Sequence, residues 1–361
     1  MQGQTFLSAP LAKSAFGYML RLYTKKMGAY AVIYIESKST DAAFNLAAEE
    51  YIMRYFAPET PAFMFWRTEK CVVIGRAQIA SGEIDLQAAY SLGIQVARRS
   101  SGGGAVFSDP GNIMHSLITS FGDSDDPKKI EREQSVEFIA GALRKMGISA
   151  VSEGRNDITV GGRKISGLAQ YAIKNRLCTH GSLLYDTDLD LLTRVLKSDP
   201  EKISSKSVGS VRARVVNLRE YFKPEISAGD FFERLKKFLF DEINIENYDF
   251  TEKETERINI IRAEKYANPD WIIGAAPRFS FHRSKRFASG KTEIFLYVER
   301  GMIKSCKIFG DFLGILPIEE LETKLENQPH DFGALSEILS ATDLRVYLGG
   351  IKRDELLECL F

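Results

Sequence analysis

Hydrophobic positions in this chain fall in short blocks whose spacing switches between the strand and helix periods, which predicts strands and amphipathic helices in mixture. Residues 31–35 read as a strand. Asp41 stands where a helix N-cap belongs, ahead of Phe44, Leu46, Ala47, Tyr51, Ile52 and Tyr55 at helical spacing. The apolar runs 62–66 and 71–74 are of the buried-strand type, ended by polar residues 67–70 and by Gly75. Residues 113–118 read as a further strand. Residues 127–146 carry a helix stripe of Ile130, Val136, Ile139, Ala140, Leu143 and Met146, stopped by Gly147.

Two β-like runs, 157–160 and 163–166, are joined by Gly161-Gly162, and a two-residue type I′ hairpin wants φ > 0 at both loop positions. Counting outward from the loop sets Val160 opposite Arg163, Thr159 opposite Lys164 and Asp157 opposite Ser166. Alternation then sends Ile158, Val160 and Ile165 to one face and Asp157, Thr159, Lys164 and Ser166 to the other. Residues 168–170 and 180–184 continue as strands. Amphipathic helices are predicted at 228–240 and 252–266, and breakers at 268–271 and 275–277 mark a boundary. Past it, Ile294, Leu296 and Val298 alternate on one face, Arg300-Gly301 turns the chain into 302–309, and helices follow at 318–325 and 332–339.

Between two apolar runs lies Arg98-Arg99-Ser100-Ser101-Gly102-Gly103-Gly104-Ala105. Glycine N–H groups can close on a ligand that a side chain would hold off, and guanidinium charge beside them suits an anion. Taken alone, the stretch reads equally well as a flexible hairpin loop. A Walker loop needs Gly-Lys-Ser/Thr after the glycines, and the dinucleotide fingerprint needs a Gly where Phe107 stands. What is left is a cradle of another kind for an acyl phosphate or nucleotide.

The chain has 361 residues, enough for a catalytic domain and a smaller one, with Lys+Arg and Asp+Glu equal at 48. No global field draws it to nucleic acid or to an anionic membrane, and no apolar run approaches the roughly 20 residues that span a bilayer. Cys71, Cys178, Cys306 and Cys359 lie far apart without CxxC or metal-ligand spacing, which disfavours a zinc site and a disulfide framework and suggests a reducing compartment. Residues 1–28 contain Lys13, Arg21, Lys25 and Lys26 and no acid. A disordered extension or upstream start, with Met27 the functional initiator, is the preferred reading and leaves the protein cytoplasmic; a transit segment would make it mitochondrial.

Residues 98–112 resemble the Arg-Arg-x-Ser-Gly-Gly-Gly-Ala-Val signature of the lipoate–protein ligase family, relatives of biotin–protein ligase. Asn45 with Glu49-Glu50 is similar to the family's Asn-Leu-Ala-x-Glu-Glu helix, and Gly75-Arg76-Ala77-Gln78 to its Gly-Arg-x-Gln-Asn, with Ile79 in place of the Asn. Asn156-Asp157 with Lys164, Ser166 and Gly167 looks like the motif whose lysine contacts the acyl-adenylate. Residues 210–218 resemble the loop that folds over it, and Gly310-Asp311-Phe312 belongs to a stretch like the accessory C-terminal domain of larger members.

The resemblance implies an α+β fold: a mixed-sheet catalytic domain at 29–270 and a small α/β domain at 275–361. It implies that lipoate carboxylate attacks the α-phosphate of ATP, and that an acceptor lysine then takes the lipoyl group from the adenylate. Lys164 is the expected electrostatic catalyst, with Asp157 holding Mg²⁺ or the ammonium. Adenylate contacts are expected from Arg99, Ser101, Gly102, Gly103, Gly104 and Ala105, from Gly111 and Asn112, from Asn156, Asp157 and Lys164, and from Ser210 and Arg212. Lipoate contacts are expected from Arg99, Ser101, Gly104, Ser166, Gly167 and His180, and since burial of the tail is worth about 0.8 kcal/mol per methylene, octanoate should also serve. The implied partners are the lipoyl domains of 2-oxoacid dehydrogenases or the glycine-cleavage carrier, met by a monomer.

Several residues have plainer readings. Glu49 and Glu50 are expected on a solvated acidic face, and His115 as a packed core imidazole. His115 and Ser108 stand where relatives usually carry an aromatic and a His, changes expected to touch the pocket wall. His180 reads either as a general base or as a structural histidine. A thiol-relay acyltransferase on the same fold needs a nucleophilic cysteine near the pocket, and residues 112–177 contain none; Cys71 and Cys178 read as inert buried thiols. A transferase that accepts ready-made adenylate and a non-catalytic binding protein stay open as alternatives.

Overall fold

The computed structural model describes residues 31–57, 61–120, 132–153, 156–197, 214–241, 243–273 and 279–361. The expectations for 1–28, for Ser210 and Arg212, and for the start of the helix at 127–131 lie outside these residues.

The catalytic part is built from β1 (Val32–Glu36), α1 (Ala42–Tyr55), β2 (Ala62–Trp66), β3 (Cys71–Ile74), β4 (Gln95–Arg98), β5 (Val106–Ser108) and β6 (Asn112–Ser120). It continues with α2 (Arg132–Lys145), β7 (Ala150–Glu153), β8 (Asp157–Val160), β9 (Arg163–Ile173), β10 (Arg176–Leu184), α3 (Ala228–Phe240), β11 (Ile245–Asn247) and α4 (Glu252–Ile261). Eight strands form one mixed sheet in the order β11-β1-β2-β6-β10-β9-β8-β7, with β11, β1 and β2 parallel and the remaining pairs antiparallel.

Both faces of this sheet are covered, which is why β2, β6 and β10 are buried along their whole length. Period-two alternation sends Tyr34, Phe63, Phe65 and Leu117 to a core shared with α2 and α3. Ile35, Met64, Trp66 and Ile118 go to the other face, against α1 and Ile258 of α4. Asp41 caps α1 as its position predicts, accepting from the N–H groups of Ala43 and Phe44.

The Gly-Gly hairpin forms with both glycines at positive φ, +58° and +74°. Its register follows the expected count only at first: Val160 faces Arg163 and Thr159 faces Lys164, but a bulge then sets Ile158 opposite Ser166 and Asp157 opposite Gly167. Ile165 is the extra residue, and it is fully buried among Ile158 and Val160.

A second, three-stranded sheet in the order β4-β3-β5 carries the glycine stretch as the link between β4 and β5. The C-terminal part is an antiparallel sheet of β12 (Phe281–Phe287), β13 (Gly290–Glu299) and β14 (Met302–Gly310) backed by helices Ile318–Leu325, Phe332–Ser340, Leu344–Leu348 and Arg353–Leu360. Sequence pattern anticipated β13, β14 and the first two helices. The end of β14 and the segment after it reach into the catalytic part: Gly310 N donates to Ala77 O (2.5 Å), Gly103 N to Phe312 O (3.0 Å) and Ala172 N to Ile315 O (3.2 Å).

Candidate active site

The glycine loop is shaped by the two arginines before it. Arg98 donates to the carbonyls of Gly75, Arg76, Gln78 and Ile272, while Trp271 Nε1 donates back to Arg98 O (2.9 Å). Arg99 donates from Nη1 to Val73 O (3.0 Å) and from Nη2 to Gly102 O (2.7 Å) and Gly104 O (2.8 Å). Both guanidiniums are buried, and that burial pulls each down to about 10. The backbone is packed as tightly as the arginines hold it. A Cβ on Gly75 would meet Gly103 O at 2.2 Å, and one on Gly102 would meet Phe312 O at 2.4 Å.

Behind the loop runs a buried chain of hydrogen bonds with a readable direction. Trp66 Nε1 donates to Ser116 Oγ (3.0 Å), which donates to Glu49 Oε1 (2.5 Å). At the other end Arg99 Nε donates to Ser101 Oγ (3.0 Å), so the Ser101 proton goes to His180 Nε2 (2.6 Å). The imidazole proton therefore sits on Nδ1 and is donated to the Glu49 carboxylate, 2.9 and 3.0 Å away.

Glu49 and Glu50 are thus not a solvated face: they are 1% and 3% exposed. The sheet covers one and the 252–273 segment the other. Burial works to push Glu50 up, but Lys265, Tyr266 and Arg54 outweigh it and hold the carboxyl below its ordinary value. Lys265 Nζ bridges Glu50 Oε2 (2.7 Å) and Ser100 Oγ (2.9 Å), tying α1 to the loop.

Lys164 and Asp157 come together across the hairpin with Nζ 2.7 Å from Oδ1, both side chains about one-third exposed at 39% and 35%. Gly167 makes room for them, since a Cβ there would lie 2.8 Å from Lys164 Nζ. Asn156 fixes the approach, its Nδ2 donating to Leu168 O (2.8 Å).

These groups border one cavity of about 280 Å³. Its wall includes Arg99, Gly103, Gly104, Ala105, Asn156, Asp157, Lys164 and Gly167, together with Leu46, Trp66, Val73, Met114 and His180. Asp311 and Leu313 from the C-terminal part complete it. Of the residues expected to contact ligand, Ser101 is fully buried behind the wall and reaches the cavity only through Arg99 and His180.

Four more of the residues expected to contact ligand lie off the cavity wall. Gly102 packs on Phe312 O, where a Cβ would come within 2.4 Å, Gly111 packs on Asp186 O, where one would come within 2.0 Å, Asn112 is buried with Nδ2 on Phe107 O, and Ser166 follows the bulge to face Ile158. The wall was also expected to include Ser108 and His115. Ser108 instead accepts from Thr68 Oγ1 (2.8 Å), and His115 stacks on Phe63 at 6.2 Å, as a core imidazole would. Glu49, Trp66, Asp311 and Leu313 were not anticipated as site residues. Their sequence signals were family-like stretches only, the helix that holds Glu49 and Gly310-Asp311-Phe312.

The chain matches the family model of the lipoyl protein ligase A/B catalytic domain over residues 41–240 and that of the bacterial lipoate protein ligase C-terminus over residues 276–360. Lipoate-protein ligase LplJ of Bacillus subtilis is 36% identical over 335 residues, covering 91% of this chain and all of the relative. The chain belongs to the lipoate–protein ligase family. Among solved structures of the family, lipoate-protein ligase A bound with ATP is 28% identical with a TM-score of 0.59, covering 68% of this chain and 99% of its own. The bipartite lipoate protein ligase of Thermoplasma acidophilum, solved in a study of that ligase and its E2 lipoyl domain, is 29% identical with a TM-score of 0.59, covering 70% and 99%. In this ligase, then, the family's two hallmark stretches, the Arg-Arg glycine loop and the Asn-Asp…Lys hairpin, border the same cavity.

Proposed function

We propose that this chain activates lipoate with ATP and passes the lipoyl group to a lysine of a lipoyl domain, of a 2-oxoacid dehydrogenase or of the glycine-cleavage carrier. The observation that carries the reading is the Lys164 ammonium beside Asp157 in a cavity that also presents Gly103, Gly104 and the apolar side chains of Leu46, Trp66, Val73 and Met114. The carboxylate of lipoate attacks the α-phosphorus, the bond to pyrophosphate breaks, and a mixed anhydride forms. The ε-amine of the acceptor then attacks the lipoyl carbonyl, and AMP leaves. In both steps charge builds on oxygens at the acyl–phosphoryl junction, where a fixed ammonium lowers the barrier without rearranging.

Asp157 holds that ammonium with Oδ1, and its partial exposure fits a carboxylate that would also hold a Mg²⁺ ion arriving with the nucleotide. The metal would offset phosphate charge. Leu46, Trp66 and Met114 suit the dithiolane tail. Catalytic and accessory units at 29–270 and 275–361, a monomer, and a reducing, cytoplasmic setting complete the proposal, the last supported by four free, buried cysteines. A thiol relay is disfavoured because burial pushes Cys71 up to about 12 and Cys178 likewise well above its ordinary value. No helix among the described residues is long and apolar enough to cross a membrane.

The test is lipoate-dependent exchange of pyrophosphate into ATP. Exchange that disappears in Lys164→Ala supports the proposal; acyl transfer without any exchange contradicts it.

A further inference from the structure

Glu49 on α1 is a buried carboxylate that makes no ion pair with a lysine or arginine among the described residues. Its neighbour Glu50 has two such partners, Arg54 and Lys265. A carboxylate taken out of water without a counter-charge is expensive, and hydrogen bonds from Ser116 and His180 offset only part of that.

The same spot gathers two more metal-ligand groups. Cys178 and His180 sit two apart on β10, hence on one face of the strand, and that face packs under α1. Ligand atoms of Glu49, Cys178 and His180 all lie within 4.8 Å of one another, and all three residues are buried. The spacing of the cysteines and histidines disfavours zinc, but it takes no account of a ligand such as Glu49 supplied from another element.

We infer that Glu49, Cys178 and His180 form a binding site for a thiophilic divalent cation such as Zn²⁺, beside the ligand cavity and sharing His180 with its wall. A thiolate, a carboxylate and a neutral imidazole are ligands zinc accepts, and together they carry two negative charges against the ion's two positive ones. Supporting contacts are in place: Ser116 donates to Glu49, and Ser101 holds the far nitrogen of His180. The proton balance is definite. The Cys178 thiol proton is released, the imidazole proton moves from Nδ1 to Nε2, and the Ser101 hydroxyl, which now donates to Nε2, rotates its own proton away so that Oγ accepts from Nε2 as it does from Arg99 Nε. Of the three, only His180 is on the cavity wall, and with three protein ligands the fourth coordination position would be left to water.

The experiment is titration of the full chain with Co²⁺ as a spectroscopic stand-in, followed by competition with Zn²⁺. The expected result is a thiolate-to-cobalt charge-transfer band that saturates at one equivalent, is displaced by Zn²⁺, and is lost in Cys178→Ser. Glu49→Gln should weaken Zn²⁺ binding at least tenfold. Absence of the band, or its survival in Cys178→Ser, overturns the inference. Should Cys178→Ser fail to fold, zinc absorption spectroscopy on the wild-type chain decides: one sulfur at about 2.3 Å with nitrogen or oxygen neighbours supports the site, and a shell without sulfur or with several rejects it.

Discussion

Ser101 Oγ lies 2.6 Å from His180 Nε2, and through that contact a glutamate on α1 is connected to the arginine that shapes the glycine loop. The direction of the chain, from Trp66 at one end and Arg99 at the other toward Glu49, follows from the fixed donors at its two ends. Removing its middle strands a buried carboxylate. His180→Phe should therefore cost about 3 kcal/mol in urea unfolding, and Glu49→Leu added to it should recover at least about 1 kcal/mol. Additive losses in that double-mutant cycle would mean the two side chains are not coupled.

His115 makes stability depend on pH with a sign that can be worked out. Burial, assisted by the nearby His180, pulls its imidazole down to about 3, so it stays neutral in the folded chain while the unfolded chain takes up a proton near pH 6.5. Its contribution is complete above that pH and is lost as pH falls from about 6.5 toward 3, a range worth about 4–5 kcal/mol. His115→Phe, which can keep the stack on Phe63, should flatten the acid limb of stability against pH between 6.5 and 4. An unchanged slope would place the titrating group elsewhere.

Two glycines near the cavity should differ in how alanine affects stability. Gly104 has open space around its missing Cβ and no positive φ, so Gly104→Ala should leave unfolding stability within about 0.5 kcal/mol while raising KM for ATP or lipoate, because the methyl occupies the wall. Gly75→Ala drives a Cβ into Gly103 O and should lower stability and activity together. Parallel thermal melts and initial rates separate the two outcomes.

Gly167→Ala tests whether the ammonium needs its position. The new methyl would press on the flexible end of Lys164, so folding should survive while adenylate formation slows. Lys164→Ala should reduce that step about 10²- to 10³-fold. Equal rates in Gly167→Ala and the parent would show that Lys164 tolerates displacement.

Local chemistry was readable from sequence wherever partners are near in the chain. The Gly-Gly hairpin, the Asp157–Lys164 pair and the apolar alternation of β1 and β2 all follow from short-range period and turn residues. The Ile165 bulge was not, because an extra residue leaves the same pattern of apolar letters, and it moved Ser166 off the site. Glu49 and Glu50 were misread since the His180 and Lys265 that meet them come from 131 and 215 residues away, while the nearby Arg54, four residues past Glu50, is what a solvated helix face would also show. Strand β12 escaped notice because it is a largely exposed edge strand whose run His282-Arg283-Ser284-Lys285-Arg286 shows no apolar alternation. Asp311 and Leu313 reach the cavity only through packing of the C-terminal sheet.

The central claim is that the glycine loop and Lys164 close on one mixed anhydride. The direct measurement is a crystal structure with a non-hydrolysable lipoyl-adenylate analogue in which a sulfamate replaces the phosphate. The account predicts Lys164 Nζ within about 3.2 Å of an oxygen at the acyl–sulfamoyl link, with the glycine backbone on the other side of it. An analogue bound with Lys164 still turned to Asp157 and solvent, away from that link, would contradict it.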